Sequence, residues 1–546
     1  MSRSLAIVLA AAALGPAALA APRLGEPLEN PTAYIPPQCY TETIDEAGNT
    51  HNPCFTCHVR GQSPNFINDA DLQTTYAFPG PATANPWTNL FEDRRERIAA
   101  IGDDETLAYV RESNYLDESG KILLQAVLAN PPAAWDENGD GRWNGFVPDA
   151  YFRFDHEGYD VDPKGTRTGW RAFAYTPLPG SFSPASGSTD DVLIRLSEPY
   201  RTDAAGKPDW TAYAVNLAIT EALIRRADVP IAPVDEAKYG VDLDKDGMLG
   251  TADHVAFDWA PLDGRTMSWV GPAKDLSADE APLAAGLYPL GTEFVHSVRY
   301  VDPGDAKDGR IRMSARLKEL RYMKKTVWQT YADLEDGALE EVKEDYDFPD
   351  RLAMFDGSAE LGLANGAGWI MQAFIEDRDG ALRPQSFNET VFCAGCHGGV
   401  GVTDDSTFAF RRKLAAPDGG WFHWDQRPLA GIPDPVGASG VGEYERYLKV
   451  NGAADEFRAN DEAIAAFFDA NGETKPDALA RLREDVSALL YPSRRRALDL
   501  DKAYRTIVLD QDFIRGRDAL VMPAVNVHEE VEQDEPTGIE DELARD

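Results

Sequence analysis

Apolar and polar residues change their spacing several times along this chain, and each change predicts a different element. From Arg94 to Arg111 and from Lys121 to Leu128, apolar positions recur at helical intervals. Between about Ala150 and Tyr200 the period shortens to two. Phe152 and Phe154 alternate with polar residues, as do Val192, Ile194 and Leu196, which predicts strands. Thr211 to Ala227 reads as a helix, and Phe294 to Val301 as a strand with Phe294, His296, Val298 and Tyr300 on one face. Met313, Leu317, Leu320, Val327 and Tyr331 form a stripe at helical spacing, so Met313 to Tyr331 is predicted to be a helix. Its other positions carry Arg316, Lys318, Arg321, Lys324 and Lys325, expected to face solvent, with pairing to nearby anionic groups as the alternative. From Gly442 to about Asp518 several short helices are expected, punctuated by Pro476 and Pro492.

These shifts predict an α+β chain with largely helical and irregular ends and a strand-containing middle. The expected segments are 1–20, 21–130, 131–310, 311–527 and 528–546. Arg3, the apolar stretch Leu5 to Ala20 and the small residues of Ala18-Leu19-Ala20 mark an export signal cleaved near Ala21. No later apolar run is long enough for a membrane span. The last segment is dense in Asp and Glu and is expected to be a solvated tail. A formal charge of −39 makes nucleic acid a poor partner and favours a partner with a basic surface.

Candidate chemistry centres on Cys54-Phe55-Thr56-Cys57-His58 and Cys393-Ala394-Gly395-Cys396-His397. Both read C-x-x-C-H, the spacing at which two thiols can add to the vinyl groups of one porphyrin while the next imidazole meets the iron. A thioredoxin-like dithiol would need a strand–helix context, and one zinc site would need the two pairs, more than three hundred residues apart, to converge. Five cysteines leave Cys39 outside the motifs, expected to be buried. No His-Glu-x-x-His pattern or nucleophile elbow points to a hydrolase.

On these two motifs the chain resembles the dihaem c-type cytochromes. The resemblance implies two covalent haem c groups held by Cys54, Cys57, Cys393 and Cys396, with His58 and His397 as proximal iron ligands. It also implies a periplasmic location and electron transfer between partners. The alternative is a dihaem oxidoreductase, peroxidase-like or oxidising a small molecule at one open haem, so the question of enzyme activity stays open. Pro31, Pro36, Pro37 and Pro53 before the first motif argue against two tandem small cytochrome domains. Before the second, Ser386 to Glu389 forms a capping box that would start a helix, stopped by Gly398, Gly399 and Gly401.

His296, His528 and Met522 are the candidate distal iron ligands: His296 for its place on an apolar strand face, the other two for their place after the helical region. His423, between Trp421 and Trp424, belongs to a haem edge or an aromatic surface. Two loops follow the calcium pattern of alternating carboxylates closed by glycine. One is Asp242, Asp244, Asp246 and Gly247, with Asp253 at the twelfth position. The other is Asp136, Asn138, Asp140 and Gly141, with Asp149 as a substitute closing ligand. A structural calcium ion is the expected occupant of each.

Overall fold

Three long strands set the frame. β1 (Glu293–Asp302), β2 (Arg312–Lys325) and β3 (Trp369–Glu376) pair antiparallel with β2 in the middle. The computed structural model describes residues 30–540 apart from 45–46, 60, 66–69, 306–309, 416–418, 438 and 452–459. The expected export signal, 1–20, and its cleavage point lie outside the described residues. Within them the sheet grows to ten strands, from Gly357–Ser358 at one end to Tyr159–Val161 at the other. The mixed α+β reading holds. The sheet crosses the expected boundary at 310, so the strand-containing region does not end there.

β2 corrects the helix expected over Met313 to Tyr331. Both faces of β2 are covered over most of its length, so the alternation that marks a half-exposed strand disappears. Leu317, Lys318, Glu319 and Leu320 are each at most 2% exposed. The 3–4 spacing of the apolar residues was therefore coincidental. Of the five cations expected to face solvent, Arg316, Lys318, Arg321 and Lys325 are buried and Lys324 is half-buried. Arg316 pairs with Glu376 at 2.9 Å, Arg321 with Glu319 at 2.9 Å, and Lys325 with Asp405. Lys318 Nζ donates to the Gly187 carbonyl and the Ser188 hydroxyl. The alternative of pairing with anionic groups is what the fold uses, because a buried cation needs a partner.

Among the helices, α1 (Trp210–Arg225) starts where Asp209 accepts from the Thr211 and Ala212 amides, and lies close to its expected bounds. α2 (Tyr331–Asp347) follows β2 and buries none of its residues. α3 (Phe387–Ala394) begins at the expected capping box: Ser386 Oγ accepts from the Glu389 amide, and Glu389 accepts from the Ser386 amide at 2.8 Å. α4 (Arg494–Asp510) leans on β1 through Asp501, which accepts from the Val301 amide.

Two more expectations are revised. Phe152 lies in a left-handed backbone (φ 53°), and the neighbouring strands are Tyr159–Val161 and Arg167–Ala172. The acidic end keeps its acidic side chains exposed but is not a free tail as far as residue 537. Its backbone pairs with the N-terminal region at Tyr40, Thr74, Tyr76, Thr83 and Asn85, burying Val531 and Thr537. Among the described residues no helix is long and apolar enough to cross a membrane.

Candidate functional site

Both C-x-x-C-H segments fold into the same turn. In the first, the Cys54 carbonyl accepts from the amides of Cys57 (3.1 Å) and His58 (2.8 Å). In the second, the Cys393 carbonyl accepts from Cys396 (3.2 Å) and His397 (3.0 Å). The turn folds the two thiols of each pair back toward one another and sets the histidine directly after them. Pro53 opens the first turn and Asn52 accepts from the Cys54 amide; the last residues of α3 carry the second.

The turns, distant in sequence, dock on each other. The Val402 amide donates to the Cys57 carbonyl, and Asn65 Nδ2 donates to the Val400 carbonyl at 2.9 Å. Two glycines permit close backbone approaches here, Gly401 to the end of the first turn and Gly395 to the Tyr34–Pro36 segment. A Cβ on Gly395 would stand 1.9 Å from the Tyr34 carbonyl oxygen, and one on Gly401 would stand 1.7 Å from that of Val59. Side-chain adjustment cannot relieve a collision with backbone.

Together the turns close one chamber of about 420 Å³, within the range of roughly 300–1,000 Å³ common for small-molecule and cofactor sites. All five cysteines of the chain line it, together with His58, His397 and His296. Its floor is the sheet. Phe294 and His296 of β1, Arg321 and Met323 of β2, and Met371 of β3 sit side by side through direct cross-strand pairing. Cys54 and Cys393 are buried, whereas Cys39, Cys57 and Cys396 keep partial exposure. Cys39, expected simply to be buried, thus borders the chamber.

The electrostatics favour neutral groups. Burial pushes Cys54 and Cys396 up to about 12 and raises Cys393, keeping these thiols protonated. A dithiol exchanger needs the opposite shift. Burial lowers His397 to about 4 and, with the nearby Arg321 charge, His296 to about 3. His397 Nδ1 lies 2.9 Å from the Ser406 carbonyl, so with its proton there the other ring nitrogen keeps a lone pair for a metal. His296 Nδ1 is buried without a hydrogen-bond partner among the described residues.

The motif donors do not converge as bare-metal ligands. Among the described residues, the one group of three or more His, Cys, Asp or Glu with ligand atoms within 4.8 Å of one another is Glu236, Asp242 and Asp244. This group revises the first calcium-like loop. Asp253 is turned away, pairing with His254 at 2.9 Å, and buried Glu236 takes its place beside Asp242 and Asp244. Asp246 accepts from the Met248 amide and lies outside that group. In the second loop Asp136 accepts from the amides of Gly139, Asp140 and Gly141, while Asn138 and Asp140 are exposed. Asp149 is engaged by Trp170 and Arg195, and Glu360 holds the loop by accepting from the Glu137 and Asn144 amides.

Two of the expected distal ligands lie elsewhere. Met522 is 39% exposed at the surface. His528 stands between Tyr76 Oη at 3.1 Å and Glu42 at 3.2 Å, so both ring nitrogens are engaged. His423 is buried between Asp191 and Asp425 and stacks on Phe154, rather than bordering the chamber. Sequence reasoning did not single out Cys39, Arg321 or Glu236 as site residues. Only Arg321 carried a signal, as one of the basic residues of β2.

Comparison with known proteins adds a family. A family model described as a "-like lipoprotein" matches residues 23–482. An uncharacterized lipoprotein of Aquifex aeolicus (strain VF5) is 31% identical over 578 residues, covering 94% of this chain and 91% of that protein. No solved structure matches. These findings correct the expected membership of the dihaem c-type cytochromes. Both matches are to lipoproteins, and neither describes a cytochrome. The electron-transfer role and the dihaem-oxidoreductase alternative rested on that membership and fall with it.

Proposed function

The chain belongs to the lipoprotein family whose model covers residues 23–482, and we propose that it is an exported binding protein with haem joined covalently to its two C-x-x-C-H turns. The observation that supports this reading is the shared chamber. Four motif thiols and two motif imidazoles border one cavity but do not meet at a point, as ligands of a single zinc ion would. Cys54 and Cys57 would hold one haem and Cys393 and Cys396 the other, each thiol adding S–H across a vinyl double bond with no leaving group. His58 and His397 would be the iron ligands supplied by the motifs, and His296 a further imidazole on the floor. Bound haem supplies an iron centre tuned by its ligands and surroundings.

Membership of a lipoprotein family makes this an exported protein, membrane-anchored or periplasmic. We place it in the periplasm, delivered by residues 1–20. We also assign calcium to the Glu236, Asp242 and Asp244 group, where Asp242 Oδ1 is buried without a hydrogen-bond partner among the described residues.

Pyridine haemochrome analysis of the full chain, produced in a host that attaches haem, tests the cofactor. Two haems per chain are expected, falling to one in Cys54→Ser/Cys57→Ser and in Cys393→Ser/Cys396→Ser. Absence of haem from the well-folded wild-type protein would overturn the assignment.

A further inference from the structure

On the chamber floor, among Phe294, Met323 and Met371, stand the ionisable residues His296 and Arg321, which face each other across β1 and β2. Arg321 is 7% exposed, and its guanidinium packs 4.7 Å from the Phe182 ring centre. Its Nε donates to Glu319 at 2.9 Å. Its Nη2 is buried and finds no acceptor among the described residues. A buried guanidinium N–H without an acceptor is costly, so this atom marks where an acceptor belongs.

The surroundings set the sign of that acceptor. Glu319 Oε2 is already shared, accepting also from Arg517 Nη1 at 2.9 Å and Gln385 Nε2 at 2.8 Å. Behind it, Arg383 forms a two-pronged pair with Glu389, both bonds 2.8 Å. Three buried guanidinium groups therefore face two buried carboxylates. Asp190 on the chamber wall restores the balance only in part. It accepts from the Tyr175 hydroxyl, and burial raises it to about 7. The surplus positive charge and the orphaned donor lie at the same place.

We propose that Arg321 is the anion-binding residue of the chamber, taking a carboxylate or similarly flat oxyanion on its free guanidinium edge. A planar fork suits a carboxylate better than a point cation would. Two sources present this chemistry. One is the propionate of a haem held as proposed above, in which case the inference rests on that reading. The other is a free small carboxylate, in which case it stands alone.

The test uses the full chain with Arg321→Gln and Arg321→Lys. Glu319 keeps Arg517 and Gln385 in both variants, and circular dichroism with thermal melting checks their fold. Haem content is measured separately, so failure of the cofactor reading is seen directly. If the source is free, calorimetry shows acetate binding to wild type, weakened about tenfold or more in Arg321→Gln. Arg321→Lys, which retains charge without the fork, falls between them. If the source is propionate, wild type binds no acetate, and Arg321→Gln lowers the midpoint potential of a haem by removing positive charge near it. Folded variants with neither effect overturn the proposal. Should Arg321→Gln fail to fold, an unchanged Arg321→Lys in both assays overturns it as well. If no haem is present, acetate binding alone decides.

Discussion

Replacing Gly395 by alanine isolates the packing of the second turn against the Tyr34–Pro36 segment that also lines the chamber. Gly395 has an ordinary helical backbone, φ −63° and ψ −28°, so alanine incurs no conformational penalty there. Helix propensity would favour alanine by at most about 1 kcal/mol. The new Cβ, however, would stand 1.9 Å from the Tyr34 carbonyl oxygen, 2.8 Å from its carbon and 3.0 Å from Pro36 Cδ. The nearest obstacle is backbone, so one chain must retreat by about an ångström. Overpacking costs about 1–3 kcal/mol, and a rigid neighbour places this case at the upper end. The expected net effect is about 2 kcal/mol of destabilisation. Gly337→Ala on exposed α2 provides the contrast. No atom lies within 4 Å of its Cβ position, so propensity acts alone and stability rises by about 1 kcal/mol. Urea unfolding followed by circular dichroism measures both. An unchanged midpoint for Gly395→Ala, or shifts of the same sign in both variants, would refute the close approach of the second turn to the Tyr34–Pro36 segment.

The buried His423 links stability to pH. Burial alone would lower its pKa, but the Asp425 and Asp191 carboxylates override that and raise it to about 9. A folded pKa above the unfolded value of about 6.5 gives stability that is complete below pH 6.5 and lost as pH rises through about 9. The loss should be of the order of 3 kcal/mol, and pH-dependent melting of His423→Gln should lack that step. Calcium chelation should lower the melting temperature of wild type but leave Glu236→Gln unmoved; no shift in wild type would leave the loop as a carboxylate-capped turn. Lys325→Met should cost about 3–5 kcal/mol in chemical denaturation, because it strands Asp405 with only the Tyr288 amide and Trp369 indole as donors.

Local chemistry was legible in the sequence where neighbours in sequence are neighbours in space. The capping box of α3, the bounds of α1 and the two C-x-x-C-H turns rest on contacts spanning a few residues, while β1 was legible from its own alternation. β2 was misread because burial on both faces erases strand periodicity, and its basic residues find partners as distant as Glu376 and Asp405. The acidic C-terminal segment looked like a free tail because its backbone partners, Tyr40 to Asn85, lie more than four hundred residues away. The chamber was hidden for the same reason. Nothing near Cys39 or Glu236 announces the groups that the fold brings beside them, and the single-loop calcium pattern favoured Asp253 over a glutamate outside the loop. The cysteine motifs were readable as chemistry, but the family they suggested was not the family matched by the chain as a whole.

Intact mass spectrometry of the purified full-length protein, followed by peptide mapping, tests the central claim most directly. Two haem additions are expected, one on the peptide carrying Cys54 and Cys57 and one on that carrying Cys393 and Cys396. A folded protein with the mass of the bare polypeptide and all five thiols open to alkylation after unfolding would contradict the account.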